Sequence, residues 1–370
     1  MSIFSTLFPA DNLPRRITST IVIGSSIYVL IDQCTRSTSW LRQTLDDWMQ
    51  PWVKVGHITQ LLIHPLKSAR AQELNEAVAD IWGLRSGTML DRHFMVMDDA
   101  TGKFLHARKH PNLLLINARV KDDQLTLRTD EQQDRGVTVD VGHVRRTRRV
   151  RRATLWHDTA IGCWDCGDAA ADWLQKVLQV DEPIRLVYYT PDLASSNDRK
   201  FCNDAKYVKA LGWCTALNDK AAFQDCTTFN LCTESSLHEL NSRLSDQDKV
   251  VMKAMRPNMV VKLDEHKPFD EDTWRAVRIG ANTRFVTVQP CVRCSMPTRH
   301  PTTGVRNANF EPLKTLRSYR QVPLTSKLRP IATDDPLFGL NLAATAVGPL
   351  KVGDSVYVKY GEGIEFMTKE

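Results

Sequence analysis

No run of apolar residues in this 370-residue chain comfortably reaches the ~17–25 that a membrane-spanning helix normally requires; the nearest approach, residues 17–31, covers about 15. No small-x-small cleavage signal follows Leu30, which weakens the reading of this stretch as a secretory leader. The chain has no convincing Gly-x-Gly-x-x-Gly dinucleotide fingerprint and no Cys-x-x-Cys-His attachment for covalent haem, so any nicotinamide or haem electrons must come from a separate protein. No internal repeat is visible, which excludes a solenoid or propeller. The nine cysteines are odd in number and lack the dense, regular spacing of a secreted disulfide scaffold, so a reducing compartment is the better setting.

The chain is long enough for an anchor plus one large or two smaller domains, each with its own core. Arg15 and Arg16 precede the apolar stretch and Asp32 closes it, giving an uncleaved single anchor helix of marginal length, suited to a thin membrane with the body in the cytosol. Trp40, Leu41, Leu45 and Trp48 recur at helical spacing. They fit a helix lying at the membrane interface or, equally, one packed on the body.

After Pro51 the pattern changes to short apolar runs between turn residues. Residues 57–63, 94–97, 113–116 and 137–141 read as strands. Helices are few: residues 168–178 put Ala171, Leu174, Val177 and Leu178 on one side, and residues 236–244 do so with Leu237, Leu240 and Leu244, where Ser236 and Glu239 have capping-box spacing. This pattern predicts an α+β, β-rich and barrel-like architecture rather than a doubly wound one. The expected organisation is an anchor and juxtamembrane helix over residues 1–52, a β-rich domain over 53–191, a polar linker or surface excursion over 192–219, and a second domain over 220–360.

The net charge of +6 is modest, but Arg145, Arg146, Arg148, Arg149, Arg151 and Arg152 concentrate it. The run suits a solvated strand and loop, or a patch that steers an acidic haem protein or anionic headgroups. It lacks the interleaved aromatics of a nucleic-acid surface, and no nucleic-acid partner is expected. Two Cys-x-x-Cys pairs, Cys163 with Cys166 and Cys291 with Cys294, have the thiolates for a shared structural zinc, although the gap between them is far longer than in a zinc ribbon. Cys166 reads better as a small buried residue at a helix start. Cys294, at a strand end beside Arg293, is positioned for a lowered pKa and metal ligation.

Eight short segments give these residues a context: His64-Pro65-Leu66-Lys67-Ser68, Asp91-Arg92-His93-Phe94, Asp165-Cys166-Gly167, Arg256-Pro257-Asn258, Arg293-Cys294, Leu316-Arg317-Ser318-Tyr319-Arg320, Pro336-Leu337-Phe338-Gly339 and Gly353-Asp354-Ser355-Val356-Tyr357. In content and order the chain resembles the MOSC-domain family, specifically its mitochondrial amidoxime-reducing branch. The resemblance implies a MOSC-type barrel preceded by the family's N-terminal β-barrel-like domain. It also implies a molybdenum cofactor (Mo-molybdopterin) whose metal is ligated by Cys294, the catalytic residue. A soft thiolate tunes the metal while leaving positions open for substrate. Lys67, Ser68, Arg92, Arg256 and Asn258 are the implied donors to the cofactor, with Thr227, Arg293, Cys226 and Val292 beside them. Cys226 and Val292 depart from the family, which usually has small hydroxyl residues there. A backbone contact survives that change and a hydroxyl contact does not.

The implied activity is reduction of N-hydroxylated compounds such as amidoximes and hydroxylamines, with electrons from NADH through cytochrome b5 reductase and cytochrome b5. The implied location is the mitochondrial outer membrane, although the anchor alone fits the endoplasmic reticulum equally. Two rivals remain: a non-catalytic or sulfur-carrying MOSC module that retains Cys294, and a zinc-stabilised binding protein. No proton donor is legible; His93, His106 and His300 are merely near the motifs in order.

Overall fold

A computed structural model describes residues 51–130, 136–156, 160–193, 221–361 and 364. The expected anchor, the juxtamembrane tryptophans and nearly all of the expected linker lie outside the described residues. Among the described residues, no helix is long and apolar enough to cross a membrane. The described residues from Val53 onward cluster as one compact unit.

Seven strands close into a barrel: β1 (Val53–Ile63), β2 (Phe229–Thr233), β3 (Met259–Leu263), β4 (Trp274–Ile279), β5 (Thr283–Val292), β6 (Leu337–Ala346) and β7 (Ser355–Tyr360). Their order around the wall is β1-β3-β2-β6-β5-β4-β7, and β7 returns to β1. All neighbours are antiparallel except β2 and β3, joined by the crossover helix Glu234–Ser242. Closure leaves no unpaired edge within the wall. Alternation along the strands sends Ile58, Leu231, Val261, Val277, Phe285, Leu342 and Val356 into the core. β1 therefore forms its ladder with strands from the far end of the chain.

A four-stranded antiparallel sheet runs Val150–Ala153, Ile161–Asp165, Ile184–Tyr189, Phe94–Asp98, with the helix Asp168–Leu178 packed against it. That helix has the bounds expected from the sequence, and it also buries Ala170 and Trp173. Cys166 is buried just ahead of its N-cap, Gly167. A second small sheet pairs Gly348–Lys351 with Glu76–Asp80, and a third joins Asn117–Lys121, Gln124–Arg128 and Val137–Asp140. The described body is thus β-rich with few helices, as the sequence pattern predicts.

Three local expectations need correction. Residues 113–116 belong to the 3-10 turn Pro111–Leu115 and its cap, because Pro111 fixes a helical φ and has no N–H to give a ladder. Val141 starts the short helix Val141–Thr147, capped by the Asp140 carboxylate at the His143 N–H, so the arginine run begins on a helix, not a strand. The helix expected from Ser236 starts at Glu234: Thr233 is its cap and accepts from the Ser236 N–H, while the Ser236 hydroxyl turns inward to Glu271.

Candidate functional site

One end of the barrel, where β1 and β5 finish and β2, β3 and β6 begin, opens into a cavity of about 340 Å3. Two loops complete it. His64 to Arg70 follows β1 and is laced to the segment around Arg92: the Arg92 N–H donates to the His64 carbonyl (2.7 Å), the Phe94 N–H to Pro65 (3.0 Å) and the Lys67 N–H to Phe94 (2.8 Å). The Asp91 carboxylate accepts from the His64 N–H at 2.8 Å and from the Arg92 guanidinium. Ser68, Arg92 and Arg256 sit in left-handed backbone, at φ of 67°, 53° and 54°. Non-glycine residues adopt that region at a cost and persist there when their surroundings over-determine it.

All ten residues assigned to the cofactor by resemblance line this one cavity: Lys67, Ser68, Arg92, Cys226, Thr227, Arg256, Asn258, Val292, Arg293 and Cys294. Their structural duties differ. Asn258 is a strut between strands, its amide donating to the Leu62 carbonyl and its oxygen accepting from the Asn230 N–H. Thr227 donates to the Phe229 carbonyl, and the Cys226 sulfur accepts from the Gln289 amide at 3.0 Å. Lys67 is buried, and its ammonium donates to the Phe223 carbonyl (2.8 Å) and the Asp225 carboxylate (2.6 Å). Desolvation works to raise the Asp225 carboxyl, but the Lys67 charge and hydrogen bonds from Lys67 and Trp156 bring it down to about 2.

Arg256 donates to the Ala69 carbonyl at 2.7 Å, and Arg92 reaches the Arg256 carbonyl. Burial, and then repulsion from Arg92, pull the Arg256 guanidinium down to about 9. Two crowded guanidinium groups at one cavity wall form a seat for an anion.

Arg293 is used differently from what its position suggests. Its guanidinium is consumed inside the barrel end, donating to the carbonyls of Phe338 (2.8 Å) and Met255 (2.6 Å) and to Asn230 Oδ1 (3.2 Å). The expectation of a lowered Cys294 pKa is therefore corrected. Burial pushes that thiol up, opposed by a hydrogen bond from the Met296 backbone and by the charge of Arg108. A bound metal would stabilise the deprotonated form of Cys294 directly.

The shared-zinc reading fails on position. Cys163 and Cys166 are packed in the apolar cores, burial drives both thiols upward, and no group of three or more His, Cys, Asp or Glu side chains suited to a metal exists among the described residues. Of the three histidines, His93 is buried against the Asp91 carbonyl and held down at about 4 by desolvation. His106 stacks on Trp156, and His300 lines a neighbouring groove.

Sequence reasoning missed Arg108, Trp156, Gln224, Asp225, Asn230, Gln289 and Asn341 as cavity residues. The nearness of Gln289 in sequence to the Cys294 segment offered a signal for it; Trp156 had none.

The residues fit a polar, anionic, sulfur-rich group. The buried Gln289 Oε1 has no protein hydrogen-bond partner and is left to accept from a polar ring edge. Arg92 and Arg256 suit phosphate oxygens, and Cys294 offers one sulfur ligand on the same wall.

Fold and site together define a closed barrel with a thiol-bearing, cationic cavity at one end. Residues 55–181 match the MOSC N-terminal beta barrel domain and residues 218–357 match the MOSC domain. The chain belongs to the MOSC family. It is 33% identical over 304 residues to mitochondrial amidoxime-reducing component 1 of Xenopus laevis, covering 82% of each chain. It is 32% identical over 305 residues to the Homo sapiens protein of that name (82% and 83% covered), and 33% identical over 309 residues to mitochondrial amidoxime reducing component 2 of Bos taurus (82% and 83% covered).

Proposed function

We propose that this protein is a molybdenum-cofactor-dependent reductase of N-hydroxylated compounds, with Cys294 as the metal's protein ligand. The observation that carries the reading is the convergence of Cys294, the buried cation Lys67, the half-buried cations Arg92 and Arg256, and the unpartnered Gln289 oxygen on one cavity. The names of the similar proteins agree with it. When bound, the cofactor supplies the two-electron chemistry that removes oxygen from nitrogen. The chain's own contribution is to hold phosphate oxygens at Arg92 and Arg256, present the Cys294 sulfur at the cavity wall, and orient the substrate beside it. Ser68 and Asn258 place backbone and amide groups at the same wall. Electrons come from NADH through cytochrome b5 reductase and cytochrome b5, and the protein resides at the mitochondrial outer membrane with this body in the cytosol.

The test is elemental analysis of the chain expressed in a host that makes molybdenum cofactor, beside a Cys294→Ala variant. Near-stoichiometric molybdenum that falls in the variant, with amidoxime reduction by the wild type when cytochrome b5 is supplied, is the expected result. Molybdenum without turnover would point to a storage or sulfur-carrying module. Absence of molybdenum from the wild type, whatever the cofactor supply, would sink the proposal.

A further inference from the structure

Trp156 stands at the rim of the cavity with 43% of its surface exposed, an unusual position for the largest apolar side chain. Its backbone is left-handed, at φ 49°, which a bulky residue adopts only under constraint. Four neighbours fix the ring. The indole N–H donates to Asp225 Oδ1 at 2.9 Å, Phe104 meets the ring edge-on at 4.7 Å, His106 lies nearly parallel to it at 5.8 Å, and the Arg108 guanidinium sits over it at 4.5 Å.

Asp225, Arg108 and Trp156 line the same cavity as Cys294, so the indole and the proposed metal ligand face one space. The guanidinium already on the ring is a flat, delocalised carbon–nitrogen group, the same kind of plane as an amidoxime or an N-hydroxyguanidine.

We propose that Trp156 is the specificity-determining wall of this cavity, on which flat, π-delocalised N-hydroxylated substrates stack in place of the Arg108 guanidinium and are presented towards Cys294. The inference deepens the reductase reading and rests on it. The ring face selects planar groups because stacking requires an extended surface in contact, which a tetrahedral aliphatic hydroxylamine does not offer. Phe104 and the Asp225 hydrogen bond keep the wall upright, so its orientation does not have to be organised on binding.

The probe is benzamidine, a flat amidine that cannot be reduced, titrated calorimetrically into the cofactor-loaded full chain and into Trp156→Ala and Trp156→Phe variants with equal molybdenum content. The expected result is binding weakened about tenfold in Trp156→Ala and largely restored in Trp156→Phe. The ratio of kcat/KM for benzamidoxime to that for N-methylhydroxylamine should fall by a similar factor in Trp156→Ala, chiefly through KM. Equal benzamidine binding by wild type and Trp156→Ala, no binding by wild type, or failure of phenylalanine to restore it would each overturn the wall. Trp156-dependent benzamidine binding in a protein that reduces neither compound would leave the wall standing and overturn the reductase reading instead.

Discussion

The buried Lys67 ammonium, 3% exposed, pairs at 2.6 Å with the Asp225 carboxylate, 63% exposed, so a single ion pair links the cavity floor to its rim. Asp225 also accepts the Trp156 N–H, and the pair thereby positions the wall as well as the floor.

Replacing Lys67 with Met removes the donor to both Asp225 and the Phe223 carbonyl. The exposure of Asp225 limits the loss, so chemical denaturation should show a cost of about 2 kcal/mol, with a smaller further loss when Asp225→Asn is added.

Arg293 should behave as a structural residue. Arg293→Ala leaves the Phe338 and Met255 carbonyls without partners, and a stability loss of about 3–5 kcal/mol is expected. Arg293→Lys cannot reproduce the fork and should recover only part of it. A folded Arg293→Ala variant with unchanged melting temperature would contradict this assignment.

Gly339 gives the Pro336-Leu337-Phe338-Gly339 segment its physical meaning. Its φ is +71°, and a Cβ there would stand 2.5 Å from the Leu231 carbonyl oxygen and 2.7 Å from the Cys232 sulfur. Gly339→Ala should lower stability by more than about 1 kcal/mol, combining strain with a clash against backbone. Thermal unfolding beside Gly87→Ala, where the added methyl meets nothing and only the backbone cost remains, separates the two contributions.

Glu271 introduces an inverted pH dependence. It is fully buried, its carboxyl oxygens accept from the Ser236 and Thr233 hydroxyls, and burial, then repulsion from Asp272, raise it from 4.5 to about 7. A folded-state pKa above the unfolded one favours folding when protonated: the contribution is complete below pH about 4.5 and disappears as pH rises through about 7. Denaturation midpoints at pH 5 and pH 8 should differ less in Glu271→Gln than in wild type. An identical difference in both would refute the role.

The arginine run divides by structure. Arg145 binds Asp123 and the Tyr188 hydroxyl, and Arg151 bridges Asp99 and Asp165, whereas Arg148, Arg149 and Arg152 are exposed on or beside the edge strand Val150–Ala153. Exposed cations on an edge discourage strand pairing with other chains, so Arg149→Val combined with Arg152→Val should raise the tendency to aggregate, read by light scattering.

Short-range physics was legible in the sequence. The helix Asp168–Leu178 followed from its apolar spacing, and most of the expected strands from short apolar runs between turn residues, because both signals act within a few residues. Misreadings arose where a local signal had two meanings: Pro111 converted an apolar run into a 3-10 turn, and Ser236, spaced like a cap, found a buried carboxylate instead.

The amino-acid order by itself determined the β-rich class, the Cys294 segment and the set of motifs that share one cavity. Tertiary structure alone decided what each side chain does there. Closing β1 against strands from the second half of the chain brought Lys67 to Asp225, and the bridge between Lys103 and Thr154 brought Trp156 to Arg108, contacts between residues tens to more than a hundred positions apart. Burial then overturned the lowered pKa expected of Cys294, because desolvation of the thiol outweighs the Met296 backbone hydrogen bond and the nearby cationic charge of Arg108.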